Sequence, residues 1–137
     1  MFAPHSHLRP AEARRGAAAV ELAICLPLLV LLIMASIEAC TMIFLDHGLT
    51  ITSYEGARVA INYDGTNAQV LARCDQIISQ RSIKDVSVST NPTDVSNVPR
   101  GAPIDVTVSA PCEPNMIVPP WFFGGRTITV TTTMVKE

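Results

Sequence analysis

The sequence predicts an α+β protein: a long N-terminal transmembrane helix, then a second, amphipathic helix packed on a small three-stranded antiparallel sheet. Three observations carry that expectation. From Leu22 to Leu45 the only charged residue is Glu38, a run of 24 residues, where about 20 cross the hydrocarbon core of a bilayer. Between Val70 and Ile78 apolar residues recur at spacings of three and four, the period of a helix with one buried face. Beyond Val86 the period drops to two, the mark of strands that hide a single face.

Taken in order, residues 1–16 read as a polar, basic, proline-containing leader. A hydrophobic helix is expected over 17–61, with its transmembrane part at about 17–45. Pro27 falls inside it and removes one backbone donor, which membrane helices tolerate as a kink. Gly48 and Gly56 weaken the helix and blur where it leaves the membrane. Asn62-Tyr63-Asp64-Gly65 is a turn signal, and Thr66-Asn67-Ala68-Gln69 reads as a capping box opening a helix of about 15 residues. That helix puts Val70, Leu71, Cys74, Ile77 and Ile78 on one face. Three strands follow, marked by Val86 and Val88, by Ile104, Val106 and Val108, and by Ile128, Val130 and Met134, each set alternating with polar residues. Residues 62–137 thus form an exported α+β head, and three strands need a covering helix to be stable.

Length and charge narrow the function. In a chain of 137 residues, about 90 remain after the leader and the apolar run, enough for a modest core that would profit from a cross-link. A net charge of −2 without a basic block excludes a nucleic-acid interface. Arg9, Arg14 and Arg15 precede the apolar run, while Glu38 and Asp46 lie towards its other end, so the N-terminus is expected in the cytoplasm and the head outside. The apolar run is longer than a secretory h-region, and no small-residue cleavage site follows it beyond the poor match Ile37-Glu38-Ala39. Ile24 before Cys25 is too bulky for a lipoprotein signal.

Chemistry-bearing residues are few. His5, His7 and His47 form no metal-ligand spacing, and no nucleophile elbow, zincin motif or phosphate loop occurs. No catalysis, metal, cofactor or small-molecule substrate is therefore expected. Cys25 and Cys40 sit in the apolar run as small apolar groups. Cys74 and Cys112 fall in the exported part, where disulfides persist, and a bridge between them is expected to contribute roughly 4 kcal/mol; the alternative is two unpaired core thiols. Glu55 and Arg58 stand three apart and can pair on one helical face. Trp121, Phe122 and Phe123 gather the only tryptophan and two of the four phenylalanines. They form either an exposed contact cluster or, the favoured expectation, a plug for the small core.

Two carboxylates lie in or beside the span, where charge costs up to about 3 kcal/mol on insertion scales. Glu21 is four residues after Ala17; were the chain cut after Gly16, the new ammonium would lie one helical turn from it, in the same or a neighbouring chain. Otherwise Glu21 reaches up to the headgroups. Glu38 is expected either to be solvated near the far interface or to contact a neighbouring subunit.

These residues resemble a known group. Arg14-Arg15-Gly16-Ala17-Ala18-Ala19-Val20-Glu21-Leu22-Ala23 looks like the opening of TadE-like pseudopilins, minor pilins of tight-adherence (Flp) pilus systems. Pro27, Tyr54-Glu55-Gly56-Ala57-Arg58 and the closing Gly124-Gly125-Arg126 resemble later parts of the pattern. The likeness is firmest over residues 14–60, about a third of the chain. Leu22 replaces an aromatic residue common in the family, and the head is larger than in the major pilin, which points to a minor subunit. The resemblance implies a pilin-like fold and a bacterial inner-membrane protein, cut between Gly16 and Ala17 by a prepilin peptidase. Glu21 and Glu38 would serve assembly with other pilin subunits and the pilus machinery. The competing expectations are a single-pass periplasmic binding or scaffold module with an uncleaved leader, and a soluble domain released after Ala39.

Overall fold

The computed structural model describes residues 10–137, with side chains from residue 16 onward; residues 1–9, which hold much of the expected leader, lie outside the described residues. Helix α1 runs Pro10–Ala60 and helix α2 Asn67–Arg81; strands β1 (Ser87–Asn91), β2 (Pro103–Pro111) and β3 (Thr127–Val135) follow, with single 3-10 turns at Val95–Asn97 and Glu113–Asn115. The first helix begins earlier than Ala17 and continues unbroken through Pro27, Gly48 and Gly56. The chain forms two compact units, Met1–Ser36 and Ile37–Glu137.

In the first unit every side chain from residue 16 to residue 33 is exposed, although nearly all are apolar. A helix that is apolar on all sides and uncovered by its own chain suits a hydrocarbon surrounding.

In the second unit the sheet is an antiparallel meander in the order β1-β2-β3. Val108 pairs with Val88 on one side and Val130 on the other, so the apolar positions of all three strands share a face. On β2 the alternation is strict: Ile104, Val106, Val108 and Ala110 are buried while the residues between them are not. Burying a Val or Ile side chain in this way contributes roughly 1.5–3 kcal/mol. The opposite face is polar and knitted by hydroxyls, with Ser87 to Ser109 at 2.7 Å, Thr107 to Thr131 at 2.8 Å, and Thr133 donating to Asp105 at 2.7 Å.

Two helices cover the inner face, where the sequence suggested only α2. Leu45, Leu49, Ala57 and Ala60 of α1 enter one core with Val70 and Cys74 of α2 and with the buried positions of β2. The stripe Glu38, Leu45, Leu49, Thr52, Gly56 and Ala60 recurs at helical spacing, which is why α1 continues past the apolar run as an amphipathic helix. Ser53, beside that stripe, contacts the hydroxyl of Thr132 on β3 at 2.7 Å.

Helix α2 has the expected capping box: the Gln69 N–H donates to the Thr66 hydroxyl at 3.4 Å, and the Thr66 N–H donates to the Gln69 side-chain oxygen at 3.0 Å. Val70, Cys74 and Ile77 are buried, while Leu71 lies at the edge of the stripe and is half exposed.

Two polar ties close the head. Asn67 accepts from the Val95 N–H at 2.9 Å and donates to the Thr93 carbonyl, fixing the β1–β2 connection to the start of α2. Lys136, just past β3, is buried and donates to the carbonyls of Ala60 (3.0 Å), Asn62 (2.6 Å) and Val95 (3.3 Å). Its ammonium thus satisfies the free carbonyls at the end of α1, where the helix dipole also favours a cation.

Candidate functional site

The expected cleavage pair, Gly16 and Ala17, and the expected assembly carboxylate, Glu21, all lie on α1 with exposed side chains. Among the described residues, no atom beyond its chain neighbours and the adjacent helix backbone comes within 4 Å of where a side chain on Gly16 would stand. Glu21 makes no ion pair among the described residues. Its carboxylate is therefore open to a partner from lipid headgroups or from another chain.

Glu38 is placed differently from either expectation. It is 1% exposed, so it is not solvated, and its oxygens are taken by its own chain rather than by a neighbouring helix. One oxygen accepts from the Trp121 N–H at 2.8 Å; the other accepts from the N–H groups of Phe122 at 3.0 Å and Phe123 at 3.2 Å. Three successive amides converging on a carboxylate form an anion-binding concavity with charge-assisted bonds. The sequence did hold one signal of this, since Glu38 shares a helical face with Leu45 and Leu49, but the partner lies more than eighty residues away.

That grip also explains the aromatic cluster, which does not plug the core. Because the backbone of the loop turns inward to Glu38, its rings turn out: Trp121 is 72% exposed and Phe122 50%. The core is filled instead by α1 and by the inner residues of the strands. Arg126 stacks over the Phe123 ring at 5.3 Å from its centroid, a cation–π contact that braces the loop.

Around the Glu55–Arg58 motif the expected ion pair is present, at 3.7 Å, but it is the weaker of two. Arg73 on α2, unforeseen from the sequence, donates to Glu55 from two nitrogens, at 2.8 and 3.3 Å. These bonds from Arg73 hold the Glu55 carboxyl below the usual carboxylate range. Gly56, next to it, is where α1 meets both other layers. A Cβ there would stand 2.7 Å from the Cys74 Sγ and 3.2 Å from a methyl of Val106. Its glycine is thus a close-approach residue rather than a helix end, and Ala57 beside it is fully buried.

The expected Cys74–Cys112 bridge is not formed; both are buried free thiols. Cys74 packs at the level of Val106 and leans on the Thr52 carbonyl at 3.7 Å. Cys112 follows Pro111, the last residue of the strand, which at about 3.3 Å per residue lies roughly 16 Å from Val106, beyond the reach of a disulfide. Burial pushes the Cys74 thiol up to about 11 and raises Cys112 as well. Alkylation of the native protein at neutral pH is therefore expected to spare both, whereas unfolding without reductant exposes both to reagent. Labelling of neither residue after unfolding would contradict free thiols.

Among the described residues no group of three His, Cys, Asp or Glu side chains could hold a metal ion. The features that stand out are an uncovered apolar helix and an α+β head tied to its continuation. By length and composition that helix can cross a membrane, so the chain fits single-pass membrane anchoring.

Residues 16–58 match the family model described as TadE-like protein. The match opens at Gly16 and closes at Arg58, so it holds both the glycine–glutamate spacing and the Glu55-Gly56-Ala57-Arg58 motif. Comparison with curated proteins and with solved structures finds no match.

Proposed function

We infer that this chain is a non-enzymatic minor pilin or pseudopilin of a tight-adherence (Flp-type) pilus or a related secretion pseudopilus. It is anchored in the bacterial inner membrane with the N-terminus cytoplasmic and the head periplasmic. A prepilin peptidase removes the leader between Gly16 and Ala17, after which the apolar helix packs among those of other pilin subunits and the assembly machinery. The observation that carries this reading is the pairing of an uncovered apolar helix with an exposed Glu21, without an ion pair among the described residues, five residues into the processed chain. A charge at that position is tolerated best beside a freed Ala17 ammonium.

The mature N-terminus tests it. Intact mass of the membrane-extracted protein should correspond to a chain starting at Ala17; an intact Met1 in a strain carrying the peptidase overturns the reading. Glu21→Gln should insert into the membrane at least as well, because it removes a charge costing up to about 3 kcal/mol there. It should nevertheless enter fibres poorly, and undiminished incorporation would remove the role assigned to that carboxylate.

A further inference from the structure

We propose that the loop carrying Trp121, Phe122 and Phe123 is a membrane-interface anchor, clamped to α1 by Glu38 and seated in the headgroup region of a phospholipid bilayer. The inference rests on the apolar helix crossing a bilayer and is independent of leader removal and of any pilus.

Depth is the first argument. Ala17 to Ser36 is 20 helical residues, about 30 Å at 1.5 Å per residue, the thickness of the hydrocarbon core. Glu38 follows within the next turn. Whatever is held to Glu38 is held at the level where the hydrocarbon ends, and what it holds is three consecutive aromatic residues by their backbone.

Surface chemistry is the second. The connection between β2 and β3 meets the same part of α1 again at a groove of about 550 Å³ lined by Cys40 and Phe44 on one side and Met116 and Ile117 on the other. Ile117 is 81% exposed, and Phe44 is exposed beside it. Trp121, Phe122, Ile117 and Phe44 thus give the head an exposed apolar surface of its own. Tryptophan belongs at such a boundary, with its ring in the apolar layer and its N–H in the wet one. Charge agrees: Arg81 and Lys84 also line the groove, no acidic residue does, and Arg126 stands over Phe123. Lipid phosphates complement those cations, whereas an apolar protein partner would leave them unpaired.

The chain holds a single tryptophan, so its fluorescence reports on this loop alone. The full-length protein is reconstituted into phosphatidylethanolamine–phosphatidylglycerol vesicles, its insertion checked by flotation, and Trp121 quenched by acrylamide from the water or by lipids brominated near the headgroup. Lipid-borne bromine should remove a large share of the emission, because the ring sits at the headgroup level, while acrylamide acts several-fold less than on the unfolded chain. Glu38→Gln, with its fold verified by circular dichroism, should lose most of the bromine quenching because the carboxylate no longer grips three amides. In floated protein, free quenching by acrylamide with bromine silent overturns the proposal. Protection from both quenchers overturns it in favour of a second copy or another protein. Full bromine quenching in Glu38→Gln overturns the clamp. Protein that fails to float would sink the membrane reading itself, a distinct result.

Discussion

Lys136→Met is expected to destabilise the head by about 3 kcal/mol. The substitution keeps the length of the side chain and its apolar stem but removes an ammonium that donates to three carbonyls. Hydrogen bonds from charged donors are worth roughly 1.5–3 kcal/mol, and a buried carbonyl left without a partner costs about 1–3 more. Compensation from water is limited because the residue is 5% exposed. The loss concentrates at one junction, since the same residue links the end of α1 to the 3-10 turn beside Val95 and its backbone N–H donates to the Ala102 carbonyl at 2.9 Å. Urea titration of the detergent-solubilised protein, followed by proteolysis of the head, measures the change. A shift below about 0.5 kcal/mol, the size ordinary for surface substitutions, would mean that the three carbonyls find other donors.

The second large effect is expected at Gly56. Gly56→Val should cost about 3 kcal/mol, the upper end of the roughly 1–3 kcal/mol for forcing extra carbons into a packed core. Helix propensity alone would favour almost any residue over glycine. Packing overrides it here because the nearest atoms, the Cys74 Sγ at 2.7 Å and a Val106 methyl at 3.2 Å, sit on short buried side chains that cannot swing away. A double-mutant cycle isolates the clash. Gly56→Ala combined with Cys74→Ala should be less damaging than the sum of the two singles, since the second change removes the sulfur that the first one strikes. Strict additivity would show that α1 and α2 do not touch at that point. Both effects should appear without loss of membrane association, which depends on the separate apolar segment.

How far the sequence reveals this follows from the range of each interaction. The capping box at Thr66 and Gln69, the alternation along β2 and the Glu55–Arg58 pair were legible because each is written within a few residues. The family likeness over the N-terminal third was legible for the same reason. What could not be read are the long-range partners. Glu38 finds its donors in a loop on the far side of the chain, Lys136 reaches back to α1, and Arg73 takes Glu55 from a different helix. The aromatic cluster was misassigned to the core because ring hydrophobicity says nothing about where the backbone's own hydrogen bonds point the loop. The cysteine bridge failed on distance, which spacing along the chain does not carry. Each miss concerns a polar or sulfur group whose fate depends on what tertiary packing places beside it.

The polar side of the sheet has a consequence for life on a crowded membrane. Across the strands the hydroxyls of Ser87 and Ser109 pair with each other, as do those of Thr107 and Thr131, and the large apolar side chain on that face, Val135, stands at its end beside Pro103. A hydroxyl already paired within the sheet has less to gain from a neighbour. The paired hydroxyls are thereby less available to bind a neighbouring protein through that face.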